Sequence, residues 1–413
     1  MLGLGTTGLG AVRGLGEQGV PVVGVDWESD APGLVSRYCE RTLVIPHPSR
    51  EPRRALEALL ESGQRLETPA VLLPTTDVFL EFLGRHEGAL RERFLFSLTD
   101  TPLREALTNK RLQAALVEAA GTLCPPSYPL RDRDDLRRIS SEVRFPALLK
   151  PVEIHLWYPI YRTKAIEVNS PHELERRYQE IERYGLEVMV QSRIVGPVTN
   201  EYAWYAYVDS DGRVLTSATR RRLRMYPIDF GTSTFAEGVL CPEVERLGQD
   251  LFRRLGYRGA GGVQFKRDDR DGKLYFLELN GRLMSPNIHL TRGGSNLPLT
   301  AYLDLTGQPP KPTTQTRFGL RYLELTPDLM AFLELRRRGE LSLARWLRDV
   351  ASARVYSHFE PRDPLPFLAA RRNDLRRAIE MARTRRAARR LVEEGRRLKQ
   401  IDPAPERGSV RSR

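Results

Sequence analysis

Cysteine is scarce in this chain: Cys39, Cys124 and Cys241 are the three in 413 residues, odd in number and far apart. They form neither a disulfide framework nor a metal-ligand spacing. Histidine is scarce too, with six scattered residues. No Ser/His/Asp or Cys/His arrangement for nucleophilic catalysis stands out among them, and His289 is the one worth watching. Long apolar runs are missing. None approaches the ~18 residues that a membrane-spanning helix needs, so membrane insertion is not expected. The N-terminus lacks a basic region followed by an apolar stretch, so no secretion signal is expected and cytoplasm is the expected location. No internal repeat is found. What is present, 40% hydrophobic and 29% charged residues, is ordinary for a globular protein. A chain of 413 residues exceeds one hydrophobic core, so two or three domains are expected.

The net charge of +12 is unevenly placed. From Arg371 to Arg413 there are 15 Lys and Arg against 6 Asp and Glu, an excess of nine, so the remaining body carries only +3. Basicity belongs to the C-terminal segment and says little about the chemistry of the body. A nucleic-acid partner is therefore not expected, and docking on the body or self-association are the preferred readings of the tail.

Short apolar strands alternate with helical stretches over the first hundred residues, the pattern of a parallel sheet covered by helices. Val20–Val25, Leu43–Ile45 and Ala70–Leu73 read as strands, and Arg53–Leu60 as a helix. Thr108–Ala120 reads as a helix with Leu112, Leu116 and Ala120 on one face. Strands follow at Ala147–Lys150 and Ala165–Val168. Ser170, Pro171 and Glu173 then form a helix start. Val188–Gln191 is a further strand. Tyr202–Val208 and Val214–Thr219 pair as a hairpin across Asp211-Gly212. A helix over Pro242–Leu255 leads to a second hairpin, Gly262–Lys266 with Leu274–Asn280. Beyond Pro309-Pro310, Leu329–Arg338 and Leu341–Val350 look helical, and Arg371–Lys399 reads as an Arg/Ala-rich helix with disordered residues after it.

Gly3-Leu4-Gly5-Thr6-Thr7-Gly8 fits G-x-G-x-x-G, and Asp26 falls about where a ribose-binding acid would stand. An NAD(P)-binding oxidoreductase is thus one reading, and a structural turn or substrate contact the other. Only Met1 and Leu2 precede the first glycine, whereas a central strand has roughly five residues. Either the native start lies upstream or this strand is stunted.

The most specific signal lies between Gly256 and Leu283. In a strand ending Glu278-Leu279-Asn280, alternation puts Glu278 and Asn280 on one face. Two oxygen ligands so spaced suit a hard cation such as Mg²⁺ carrying nucleotide phosphates. Arg282 continues that face, where a guanidinium can stabilise a phosphate or an oxyanion. A half-exposed strand with polar residues facing water is the bland alternative.

Here the sequence resembles the ATP-grasp superfamily, whose second lobe ends in a strand with Glu-x-Asn-x-Arg. The resemblance implies that Glu278 and Asn280 are metal ligands and Arg282 the catalytic arginine. It also implies a third metal position at Gln264, where the family normally has an acid. Upstream, Lys110 and Lys150 match the helix and strand lysines that meet ATP phosphates, and Lys164 is a further candidate. Met189–Gly196 resembles the hinge that reads adenine, here around Gln191 and Ile194, with Ser192 in place of the usual acid. Glu201 is a candidate contact to ATP or substrate. The segment between Lys150 and Lys164 reads as a loop, and its aromatic character (Trp157, Tyr158, Tyr161) looks like the D-aspartate ligase-like, carboxylate–amine ligase branch. Arg220-Arg221-Arg222-Leu223-Arg224 and the stretch Leu290–Pro298 look like it too. The arginines are candidates for phosphates and an acidic substrate, or else form a solvated strand edge. Ser295 and Asn296 are candidate substrate contacts.

The fold class expected is α/β and α+β. A Rossmann-like pre-ATP-grasp domain (1–105) precedes an ATP-grasp N-lobe (106–195) and a C-lobe with the metal site (196–310). A helical basic extension (311–413) follows. The implied activity is ATP-dependent amide or peptide bond formation between a small-molecule carboxylate and an amine, through an acyl-phosphate. ATP and Mg²⁺ or Mn²⁺ are the implied cofactors, and a homodimer is an allowed state. Gln264 and Ser192 motivate the alternative of a catalytically weakened nucleotide-binding protein.

Overall fold

In the computed structural model the described residues are 1–380 except Glu153, Arg162, Pro286, Pro309 and Ala378. Of Thr108, Lys110, Arg111, Ile154 and His155 only the backbone is described. The Lys110 side chain and the tail beyond residue 380 therefore lie outside the described residues.

The N-terminal strands are β1 (Val23–Asp26), β2 (Arg41–Val44), β3 (Ala70–Val71) and β4 (Phe94–Leu95). β1 pairs with β2 and β3 with β4, both parallel. Leu2 joins them through parallel bridges to Val25 and Pro74, so the first strand is reduced to a single bridging residue. The helices Thr6–Gly16, Pro52–Gln64 and Asp77–Arg85 accompany this sheet.

The glycine loop serves packing. Gly3 has φ +88°, and a Cβ at Gly8 would sit 1.8 Å from the Gly3 carbonyl oxygen. Only glycine permits that turn. Further along, a Cβ at Gly10 would come 2.8 Å from the Ile288 amide nitrogen, so the first helix lies directly on the helix Asn287–Arg292. Asp26 is spent on backbone: its carboxylate accepts from the amides of Leu4, Trp27 and Glu28. That closes the loop on β1, which corrects its reading as a ribose-binding acid.

A four-stranded antiparallel sheet follows, from β5 (Ser127–Leu130), β6 (Ala147–Pro151), β7 (Ile166–Val168) and β8 (Val188–Ser192), in the order β5-β8-β6-β7. Ser170 accepts from the Glu173 amide and caps the helix Pro171–Glu182 as its motif requires. Two expectations change here. The stretch Thr108–Ala120 divides at Asn109 into the helices Thr101–Thr108 and Lys110–Ala119, and Leu112 is exposed. The aromatic segment after Lys150 is a helix, Ile154–Tyr161, rather than a loop. Trp157 is fully buried there, stacks near Tyr161 and donates to the Thr163 carbonyl, so it holds the lobe together. Burying such a side chain contributes about 2–3 kcal/mol.

The largest sheet contains β9 (Glu201–Val208), β10 (Val214–Tyr226), β11 (Thr232–Gly238), β12 (Gly259–Arg267), β13 (Leu274–Asn280), β14 (Thr313–Thr314), β15 (Arg321–Leu323) and β16 (Val355–Tyr356). Its order is β13-β12-β9-β10-β11-β15-β16, with β14 beside β10. Both hairpins expected from the sequence are present. The helix Pro242–Arg254 packs on this sheet through Gly248, where a Cβ would strike Trp204 at 2.4 Å.

After β16 the chain returns to the first helix. Arg13 and Asp363, both essentially inaccessible, form an ion pair of 3.0 Å, and Arg13 also donates to the carbonyls of His358 and Asp363. Asn373, in the helix that follows, donates to the Asp30 carbonyl.

Candidate active site

Register across the large sheet decides which side chains share a face, because paired residues point the same way and alternate residues repeat it. One row runs Asn280–Gly262–Tyr205–Ala218 across β13, β12, β9 and β10. The next runs Glu278–Gln264–Ala203–Arg220. A third pairs Lys266 with Glu201. Glu201, Gln264, Glu278 and Asn280 therefore lie on one face, joined by Arg220, Arg222 and Lys266.

Arg222 ties this face together. It is ion-paired to Glu201, and its Nη2 donates to Gln264 Oε1 at 3.2 Å. Lys266 Nζ stands 3.7 Å from Glu201 on the other side. Burial pulls the Lys266 pKa down, Glu201 resists this, and the nearby Arg193 and Arg222 add to the fall. Lys266 was not singled out from the sequence, although it follows Gln264 by two residues and so inherits its face.

Arg282 lies just past β13. Its Nη2 donates to Asn280 Oδ1 at 3.4 Å, while Nε and Nη2 grip Asp77 at 2.7 and 3.1 Å. It is thus close to the Glu278 and Asn280 strand but is held by an acid of the N-terminal region. On the four-stranded sheet, Lys150 Nζ donates to the side chain of Gln191, which in turn donates to Ser127 at 2.7 Å. The Gln191 side chain is thereby occupied by Lys150. Ile194 is buried at the end of this hinge. Lys164 is exposed ahead of β7 and has no hydrogen bond or ion pair among the described residues.

Several expectations are corrected. The arginines of β10 are not a solvated edge: β10 is internal to the sheet, and Arg220 and Arg224 are buried. Ser295 donates to the Ser217 carbonyl at 2.6 Å, and Asn296 caps the helix Leu297–Leu305 while donating to the Gly14 carbonyl. Both are structural. His289 is buried, and desolvation together with Arg220 lowers its pKa to about 3, so it is neutral.

The fit to a divalent cation rests on one carboxylate, Glu278, and the amide oxygen of Asn280. Gln264 Oε1 is taken by Arg222, and no cluster of three or more His, Cys, Asp or Glu is found among the described residues. Such a set cannot hold a bare ion firmly but suits Mg²⁺ that arrives on phosphates and keeps most of its other ligands. The basic groups around it match the phosphates themselves. No helix among the described residues is long and apolar enough to cross a membrane.

No family model matches the chain, and no curated protein matches it in sequence. Solved structures do match in fold. N5-carboxyaminoimidazole synthetase from Staphylococcus aureus complexed with ADP is similar with a TM-score of 0.56 at 16% identity, over 74% of this chain and 76% of that one. A biotin carboxylase–βγ-ATP complex from Campylobacter jejuni has a TM-score of 0.57 at 18% identity, over 74% and 70%. L-amino acid ligase from Bacillus licheniformis has a TM-score of 0.53 at 14% identity, over 74% of both chains. This mixed α/β chain has the ATP-grasp fold.

Proposed function

We propose that the chain is an ATP-dependent carboxylate–amine ligase that activates its carboxylate as an acyl-phosphate. The observation that carries this reading is the shared face of Glu278, Asn280, Gln264, Arg222 and Lys266, beside Arg282, in a chain of ATP-grasp fold. Lys150, with Lys110 and Lys164, is assigned to the nucleotide phosphates. The hinge around Gln191 and Ile194 is assigned to adenine through backbone groups. Glu278 and Asn280 would hold Mg²⁺ or Mn²⁺, whose charge offsets that of the phosphates. Glu201 has a different task from direct ATP contact: it pairs with Arg222 and Lys266 and so fixes both cations over the site. Gln264, as a partner of Arg222, serves that same task more than metal binding. Arg282 is the residue assigned to the oxyanion of the tetrahedral intermediate, and its half-exposed partner Asp77 is a contact it can exchange. The domain division at 105, 195 and 310 is proposed with one adjustment. Arg321–Leu323 and Val355–Tyr356 belong to the sheet of the second lobe, which therefore extends beyond residue 310.

A weakened, non-turning-over nucleotide binder is the second reading, favoured by the Arg222–Gln264 contact where an acid would stand. Thermal stabilisation by Mg-ATP, followed by phosphate release across a panel of carboxylates and amines, separates the two. The ligase releases phosphate with one pair and loses at least about 100-fold of that rate in Glu278→Ala. Stabilisation with no release for any pair selects the second reading. Stabilisation by a nicotinamide cofactor and not by Mg-ATP removes both.

A further inference from the structure

Arg220 is 5% exposed and makes no hydrogen bond or ion pair among the described residues. Its guanidinium merely lies 5.9 Å from the centre of the Tyr205 ring. A buried charge without a partner is costly, and the two other buried arginines among the described residues are compensated: Arg13 has Asp363, and Arg224 has Asp328 and Asp349. Around Arg220 other buried polar groups are also unpaired within the protein. Both side-chain polar atoms of Asn287 (1% exposed) and Nδ1 of His289 have no hydrogen-bond partner, while the Tyr322 hydroxyl has Ser285 and Ser357 as side-chain neighbours without a hydrogen bond of normal geometry. His289 stacks on Tyr322 with ring centres 5.7 Å apart, and Ile288, next to Asn287, packs on the same tyrosine.

Register places these groups on the face already described. Arg222 pairs with Ala236 and Ala236 with Tyr322, so Tyr322 projects on the side of Arg220, Gln264 and Glu278. Glu324, two residues on, repeats that side, and its amide continues the ladder by donating to the Thr234 carbonyl at 2.8 Å. Glu324 lies within electrostatic range of Arg220, Arg371 and Asp374. Arg371 and Asp374 are ion-paired with each other at 3.1 Å, which leaves one cation, Arg220, and one acid, Glu324, whose anionic form a bound ammonium would favour. Such a balance disfavours a polyanion such as phosphate and favours a ligand that is itself a zwitterion.

We infer that Arg220, with Asn287 and Tyr322, forms a subsite for the carboxylate of a free amino acid, whose ammonium group is held by Glu324. The inference rests on the ligase reading and names its substrate class. Across the sheet the order is Glu278, Gln264, Ala203, Arg220, then Tyr322 and Glu324. The carboxylate end of the amino acid therefore faces the side assigned to nucleotide, and the ammonium faces away. That makes the amino acid the acyl donor. A carboxylate oxygen attacks the γ-phosphorus of ATP, the bond to the β-phosphate oxygen breaks, and ADP leaves. The incoming amine nitrogen then bonds to the carbonyl carbon, phosphate leaves with the old C–O electron pair, and the amine proton passes to solvent.

The test is thermal shift of the full chain with Mg²⁺ and a non-hydrolysable ATP analogue present. The probes are the twenty common amino acids, their primary amides, which lack the carboxylate, and inorganic phosphate. At about 100-fold excess over Kd, at least one amino acid is expected to raise Tm by about 5 °C, with neither its amide nor phosphate doing so. Arg220→Met should abolish that shift, keep the nucleotide shift, and leave the ligand-free Tm equal or higher, a gain that a purely structural arginine would not give. If Arg220→Met does not fold, Asn287→Ala replaces it, with an expected weakening of at least about 10-fold for the acid. Stabilisation by phosphate alone, an amide as effective as its acid, or a shift retained in the variants overturns the subsite. So does the absence of any amino-acid shift beside an intact nucleotide shift. Loss of the nucleotide shift in the unaltered protein overturns the ligase reading instead.

Discussion

Arg220 and Arg224 stand four residues apart on β10, equally buried and oppositely treated. Arg224 grips Asp328 with two nitrogens at 3.0 and 3.1 Å and also reaches Asp349. Thr234 and Trp346 donate to the same Asp328 carboxylate at 2.8 and 2.9 Å. Arg220 has none of this. The strand itself produces the difference: register shifts between Arg222, Arg224 and Met225 break the alternation and send Arg224 towards the helix Leu325–Arg337. These shifts convert a repeat of arginines into a structural anchor at one end and a buried, unpaired cation at the other.

The largest expected effect separates the two ends by stability. Asp328→Ala leaves Arg224 buried beside a lost partner and should cost about 3–5 kcal/mol in denaturant unfolding. Arg220→Met should cost nothing. Equal losses would erase the contrast. The pH dependence of the surroundings is next. His289 and His358 are held neutral, with pKa values lowered to about 3 and about 4, mainly by burial. The unfolded chain takes up these protons first, so their contribution to stability is lost as pH falls from about 6.5 through those values. Glu324 works in the opposite direction. Burial raises it to about 7, so its contribution is present below about 4.5 and lost as pH rises through 7. Glu324→Gln should flatten that upper limb by an amount on the order of 3 kcal/mol, measured by unfolding between pH 4.5 and 8. A limb unchanged by the substitution would detach Glu324 from it. The smallest effect concerns Gln264. Gln264→Glu restores an acid opposite Glu278 and should lower the Mg²⁺ needed for half-maximal nucleotide stabilisation by about 3–10-fold. A Mg²⁺ requirement that stays the same would mean that the new carboxylate is absorbed by Arg222.

Much of this face is legible in the sequence. Alternation alone puts Glu278 with Asn280, and the turn at Asp211-Gly212 sets the pairing of β9 with β10. Ser170 marks its helix start unaided. The rest depends on long-range register. Tyr322 reaches the site because β15, from a segment that reads as part of a helical extension, joins the sheet beside β11. Asn287 arrives on a six-residue helix docked against Gly10. Neither has a local pattern to announce it. Lys266 is within reach of alternation, since it follows Gln264 by two residues on the same strand. The aromatic segment after Lys150 reads as a loop, yet the buried Trp157 supports a short helix that includes Pro159. Asp26 shows the reverse error, where spacing suggests a ligand contact and the carboxylate instead serves three backbone amides.

The ion pair between Arg13 and Asp363 spans 350 residues of sequence. A ribosome adding about 5–20 residues per second needs roughly 20–70 s to cover that interval. Throughout that time the first helix carries a cation destined for the interior with no counter-charge yet synthesised. This buried pair thus cannot form when the first helix emerges, but only once its distant partner is made. Completion of the fold at the start of the molecule is timed by translation near residue 363.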